Sequence, residues 1–262
     1  TRVEMELRVP APRLWSPNEP NLYRVTAHAY ATELDGFHEE SATIGFREFL
    51  FEDGCFRLNG QRFMLHGVCA TTITPFSGHK PYDPEMLRSD MLQLKVMGVN
   101  MMRFLGGWTV PRRSQLDMAD ELGMMVCEEC AASWLWEASS EHGEERFRRA
   151  VSSMVRRDRN HPSVVVWGML NEVANKALFH HAVDALATVR SLDDSRVVML
   201  NSGRLDGYTR EGQPRYPGPL AWREDWKPAP NVTCNLADEA VTVRSTWAPG
   251  QVALHAALDG RC

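Results

Sequence analysis

The chain reads as an α/β protein built on a parallel sheet of barrel type, and three observations predict this. Between about residues 63 and 200, short apolar runs alternate with helix-length amphipathic segments, the rhythm of strands joined by right-handed helical crossovers. One run, Val164–Leu170, is apolar without polar alternation and rich in β-branched side chains, as expected of a strand covered on both faces. Residues 1–52 differ. Their apolar and polar residues alternate with period two, so a β region precedes the α/β part.

In chain order, Val3–Val9, Leu22–Thr32 and Ser41–Phe51 are expected strands, separated by the turn-rich Trp15–Pro20 and Asp35-Gly36. Three strands are too few to bury both faces of a sandwich. Phe56–Met64 is a hairpin around Asn59-Gly60, and Phe63–Val68 is a first inner strand. Asp83-Pro84-Glu85 starts a helix, with Asp as N-cap and Pro in the first turn, and Gly98 ends it. Val99–Leu105 is a second strand. A helix over Ser114–Leu122 closes at Gly123, and Met124–Cys127 follows as a third strand. Helices over Glu144–Arg157 and Lys176–Ser191 flank the fourth strand, Val164–Leu170, and Arg196–Leu200 is the fifth. Five strands and four helices are a little over half of an eight-fold barrel. Beyond Asn201 the rhythm stops in a segment with six prolines and three tryptophans, read as truncated or out of the barrel pattern rather than as one long loop.

Composition excludes several classes. The formal charge of −5 over 262 residues offers neither a basic surface for nucleic acid nor a polybasic membrane patch. No apolar run reaches transmembrane length. The sequence assigns no compartment and does not fix an oligomeric state. Six cysteines include Cys127-Glu128-Glu129-Cys130, formally C-x-x-C, but no second pair stands at zinc-site spacing. On a strand, an offset of three puts the two sulfurs on opposite faces, so structural thiols are expected and no metal site or cofactor is assigned.

The chemistry concentrates around Arg157-Asp158-Arg159-Asn160-His161-Pro162-Ser163, the buried strand after it, and Asn171-Glu172 at that strand's carboxyl end. Polar groups at that end of a barrel strand belong to the active-site rim. A carboxyl group against apolar walls has its pKa raised, which suits a general acid. This stretch closely resembles the signature of family 2 glycoside hydrolases, the group of β-galactosidases, β-glucuronidases and β-mannosidases: R-D-R-N-H-P-S, a strand, then N-E. Trp15-Ser16-Pro17, Pro20-Asn21-Leu22-Tyr23 and Ile44-Gly45-Phe46-Arg47 likewise resemble the end of the immunoglobulin-like domain that precedes the catalytic barrel. The resemblance implies a (β/α)8 TIM-type barrel, present here through about its first five strands, after part of an immunoglobulin-like β-sandwich. Residues 1–52 would be the sandwich part, 53–206 the first half of the barrel, and 207–262 an irregular tail.

The same resemblance implies roles. Glu172 would be the acid/base and Asn171 would contact the sugar 2-hydroxyl. Arg103, at the end of the second strand, matches the family's active-site arginine; a permanent cation there holds a neighbouring carboxylate ionised. Glu129 matches the Glu of a family Asp-Glu pair and would orient Arg103 or accept from the sugar. His66 matches a first-strand rim position, and Trp134 and Trp136 offer indole faces for a sugar. For each of these five the alternative is packing or a structural ion pair. Retaining glycosidases need a second carboxyl group about 5–5.5 Å from the first. No strand-terminal Glu supplies it, and Glu211, Glu224 and Glu239 stand in the irregular tail, so the nucleophile is unassigned. Two positions point away from the galactosidase branch: Gly106 where a His is expected, and Leu170 where Gly is frequent.

The implied activity is retaining hydrolysis of a β-linked carbohydrate, with these 262 residues alone expected to be inactive. A non-catalytic carbohydrate-binding or interaction module on the same scaffold is the alternative, and a thiol-based metal or redox protein a third. Neither of these needs a second carboxylate.

Overall fold

A computed structural model describes residues 5–31, 36–52, 55–70, 83–106, 110–133, 142–171, 173 and 177–202. The expected tail lies outside the described residues. The described part of the expected strand Val3–Val9, residues 5–9, forms no strand, and the first strands are an antiparallel hairpin, β1 (Tyr23–Ala31) and β2 (Gly36–Ile44), in register from Tyr23 opposite Ile44 to Ala31 opposite Gly36. The expected strand Ser41–Phe51 is divided in two. β2 stops at Ile44, and β3 (Phe49–Glu52) pairs forward with β4 (Cys55–Leu58), which pairs with β5 (Gln61–Phe63). The break has a tertiary cause. A Cβ at Gly45 would stand 2.7 Å from the Pro162 ring, and Arg47 turns away to donate to the carbonyls of Pro162 (3.1 Å) and Val164 (2.7 Å). Asn59 and Gly60 both take positive φ in the β4–β5 turn, as its Asn-Gly sequence requires.

The rest is α/β. β6 (Gly67–Ala70) is followed by α1 (Pro84–Val96), β7 (Met101–Phe104), α2 (Arg113–Leu122), β8 (Met125–Glu129), α3 (Gly143–Asp158), β9 (Val164–Asn171), α4 (Ala177–Leu192) and β10 (Val197–Ser202). The five strands form one parallel sheet in the order β10-β9-β8-β7-β6. This is the sequential order of a barrel wall, as the alternation of strand and helix predicts. Asp83 caps α1 by accepting from the Glu85 amide at 2.9 Å, and Gly123 closes α2 in the left-handed conformation (φ 69°). No helix among the described residues is long and apolar enough to cross a membrane.

Two buried clusters flank the sheet. The outer one joins α1–α4 to the helix-facing side chains, including Phe104, Val126, Trp167 and Met169. The inner one lies at the amino ends of the strands, where Met101, Met125, Val165 and Val197 meet Phe49 and Leu58 of the small antiparallel sheet. Trp15, completely buried, belongs to this inner cluster and donates through Nε1 to the Asp120 carbonyl at 2.9 Å. The amino end of the sheet is thus closed by apolar packing, which leaves the carboxyl end for chemistry.

Candidate active site at the carboxyl ends of the strands

Three neighbouring strands deliver one polar cluster. Arg103 exits β7, Glu129 ends β8 and Asn171 ends β9. Arg103 donates from Nε to Glu129 Oε1 at 2.7 Å and from Nη2 to Oε2 at 3.2 Å. Its Nη2 also donates to Asn171 Oδ1 at 2.7 Å. The Gly106 amide donates to Glu129 Oε2 at 2.7 Å. Glu129 is therefore a buried carboxylate satisfied by three donors, as a buried charge must be. Burial works against the Arg103 cation, but the hydrogen bonds and charge of Glu129 outweigh it, and the guanidinium pKa is raised. Arg103 stays charged, and its fork fixes the Asn171 amide through its carbonyl oxygen.

Two glycines make room for this cluster. An added Cβ at Gly168 would overlap Glu129 Cγ, so the Glu129 side chain lies across a bare stretch of β9. An added Cβ at Gly106 would come within 2.7 Å of the Cys130 carbonyl oxygen and 3.1 Å of that of Ala132. A histidine therefore cannot replace Gly106 without moving the chain after β8, which gives the sequence departure a physical basis. The Asn171 backbone is held from the same side, its amide donating to the Ala132 carbonyl at 3.1 Å.

The expected residues divide three ways. Arg103, Glu129 and Asn171 come together. Glu172, Trp134 and Trp136 lie outside the described residues, as do Glu211, Glu224 and Glu239. His66 is a correction. β6 begins only at Gly67, so His66 stands at the entry of the strand and not at its exit. Its amide donates to Asn100 Oδ1 at 2.8 Å and its carbonyl accepts from the Asn100 amide at 3.0 Å. This ties it to the amino end of β7, away from the cluster. The inner residue near the exit of β6 is Cys69, whose Sγ lies 3.8 Å from Arg103 Nη1; the two residues are register partners.

The motif before β9 works as a staple rather than as part of the site. His161 Nδ1 lies 2.6 Å from Asp120 Oδ2, and the Ser163 amide donates to Asp120 Oδ1 at 2.9 Å. Buried Arg196 donates to the carbonyls of Arg159, His161 and Val164 at 2.7–2.8 Å. Among the described residues, Asp117, Asp120 and His161 form one group of potential metal ligands. Two donors about 2 Å from one zinc ion stand more than about 3 Å apart, so the 2.6 Å contact is a hydrogen bond. Cys127 belongs to the inner cluster and Cys130 to the outer one, opposite faces as expected. Burial pushes both thiols up, Cys130 to about 12, which leaves them inert.

Comparison with known proteins agrees with this fold. Residues 49–213 match the TIM barrel domain of glycosyl hydrolases family 2, and residues 1–47 match a second domain of glycosyl hydrolases family 2. A protein of Formosa agariphila, whose name marks it as a candidate β-glucuronidase, is 32% identical over 217 residues, 79% of this chain and 20% of its own. Among solved structures, the chain resembles apo β-glucuronidase 3 of Bacteroides uniformis (29% identity, TM-score 0.62), covering 71% of this chain and 24% of that one. It also resembles the β-glucuronidase of Parabacteroides merdae with glycerol in its active site (26% identity, TM-score 0.66), covering 75% and 25%. The chain thus spans about a fifth to a quarter of the length of these relatives. The barrel-domain match runs through every parallel strand and helix described above, and with it the chain belongs to family 2 of the glycosyl hydrolases.

Proposed function

We propose that this chain is the acid/base half of an enzyme that hydrolyses a β-linked sugar with retention, with Glu172 as the acid/base. The observation that carries the reading is the guanidinium of Arg103, held between Glu129 and Asn171 immediately before Glu172 in the chain. A fixed cation there keeps an incoming nucleophilic carboxylate ionised, and Asn171, held by that cation at the strand end, is placed to meet a sugar hydroxyl. Glu129 is the floor of the site: its carboxylate is buried and committed to Arg103 and Gly106, so it is not the nucleophile. Glucuronides come first among test substrates, because the relatives carry that name. The reading divides the chain into a sandwich part over residues 1–52, barrel over 53–206 and tail over 207–262.

The test is kinetic. Hydrogen bonds to the 2-hydroxyl strengthen in the transition state and supply several kcal/mol. In the complete enzyme, Asn171→Ala is expected to reduce turnover far more on an aryl β-glycoside than on its 2-deoxy analogue; an equal loss on both removes Asn171 from that role. A second expectation concerns residues 1–262 expressed alone. Glu129 is the one carboxylate that the described residues bring into the cluster, and a retaining reaction needs a free one. Turnover on a panel of aryl β-glycosides should not exceed that of a Glu172→Gln control, and turnover well above it would place the nucleophile within these 262 residues.

A further inference from the structure

Successive residues of a strand point to opposite faces, and β8 ends in two glutamates. Glu129 faces the site. Glu128 faces the helices and is completely buried, as is Asp158 at the end of α3. Arg157 Nη2 donates to Glu128 Oε1 at 3.2 Å, and Arg157 Nε donates to both Asp158 oxygens at 2.8 Å. The same Nη2 donates to the Pro111 carbonyl at 3.1 Å. The connection between β7 and α2 is therefore tied at both ends to adjacent glutamates: Gly106 directly to Glu129, and Pro111 through Arg157 to Glu128.

With both carboxyl groups ionised, the charges here would not balance. Asp158, Arg157 and Arg196 are the charged groups that act most strongly on Glu128, and Arg196 is already bonded to Asp193 at 2.7 Å. The nearby Cys127 and Cys130 thiols are held neutral by burial. Two buried carboxylates thus share one close guanidinium. Among the described residues, Glu128 Oε2, also buried, finds no donor, although the two carboxyl groups lie within hydrogen-bond reach of each other. Two acceptors cannot bond, but an acid and a carboxylate can. A proton on Glu128 removes the excess charge and gives the orphan oxygen a partner at once.

We propose that Glu128 is a positioning residue that works as a neutral acid: it shares one proton with Asp158, and Arg157, seated on that pair, holds Pro111 and so the far end of the connection whose near end binds Glu129. Burial first, and then the charge of Asp158, push the Glu128 carboxyl well above the usual range, in the same direction. A carboxyl group whose folded pKa is raised contributes stability below its unfolded value of about 4.3. That contribution is lost as pH rises through the folded value. The inference goes beyond the hydrolytic reading and does not depend on it, because none of its readouts is activity.

The experiment is infrared spectroscopy of the complete protein at neutral pH, with thermal unfolding and amide exchange alongside. A carbonyl band of a buried carboxylic acid is expected in the wild type and is lost in Glu128→Gln. That variant should keep its Tm, because the Gln amide donates to Asp158 as the acid does and its oxygen still accepts from Arg157. Its Tm should also fall less between about pH 5 and 8 than that of the wild type. Glu128→Leu, without a donor for Asp158, should lower Tm by about 5 °C and speed exchange of the Gly106 amide. Absence of the acid band in folded wild type, or its persistence in Glu128→Gln, overturns the proposal. So does a Gln variant as damaged as the Leu variant, or Asp158→Asn tolerated where Glu128→Gln is not.

Discussion

Glu172→Gln in the complete enzyme is expected to slow hydrolysis of β-glycosides with poor leaving groups by at least about 10²-fold, the usual scale of general acid catalysis. The expectation comes from the position of Glu172, directly after Asn171 at the end of a strand whose eight residues are all buried. A departing alkoxide needs its proton in the transition state, whereas a nitrophenolate does not. Glycosylation by substrates with good leaving groups should therefore suffer little, and their turnover should become limited by breakdown of the covalent intermediate. There the same residue is needed as a base to activate water. An added small anion such as azide needs no base, and should restore turnover on activated substrates while forming the glycosyl azide. Equal loss across leaving groups, with no azide rescue, would remove Glu172 from the acid/base role.

What is legible in the sequence depends on how local each signal is. The exits of β7, β8 and β9 can be read because each strand is an apolar run that ends in a polar residue, so Arg103, Glu129 and Asn171 group together from the sequence alone. His66 is misplaced for the same reason in reverse. Phe63–Val68 reads as one apolar run, but the chain leaves β5 at Phe63 and enters β6 only at Gly67, and a four-residue strand leaves too little periodicity to locate its ends. Ser41–Phe51 reads as one strand because its break depends on Pro162, over a hundred positions away. Non-local chemistry also hides the role of the R-D-R-N-H-P-S motif. Its partners, Arg47, Asp120, Glu128 and Arg196, lie on four separate segments, and nothing local to the motif announces them. Gly106 is visible in the sequence only as a departure from a pattern, and its close approach to Cys130 explains it.

Gly168→Ala is expected to damage the site from the side opposite to removal of Glu129, though less severely, and the two changes should cancel in part. The added methyl would occupy the place of Glu129 Cγ, where overpacking of a rigid interior costs about 1–3 kcal/mol. The Glu129 carboxylate cannot simply step aside, because it is pinned by Arg103 and Gly106 at 2.7 Å each. Glu129→Ala removes the pin from the other side. It leaves the buried Gly106 amide without its acceptor and takes the Glu129 charge away from Arg103. Breaking a buried pair costs about 3–5 kcal/mol; the Arg103 side chain is 25% exposed and can turn partly to water, so the lower end of that range applies. In the double variant the overlap with Glu129 Cγ is gone, and only the close approaches to Cβ and Cα at position 129, 3.1 and 3.2 Å, remain for the methyl added at position 168. Denaturant unfolding of the four proteins should therefore show the double variant more stable than the sum of the single losses by at least about 1 kcal/mol, within the coupling seen for residues in contact. Additive losses would mean that Glu129 does not lie across Gly168, and the floor assigned to the site would have to be rebuilt.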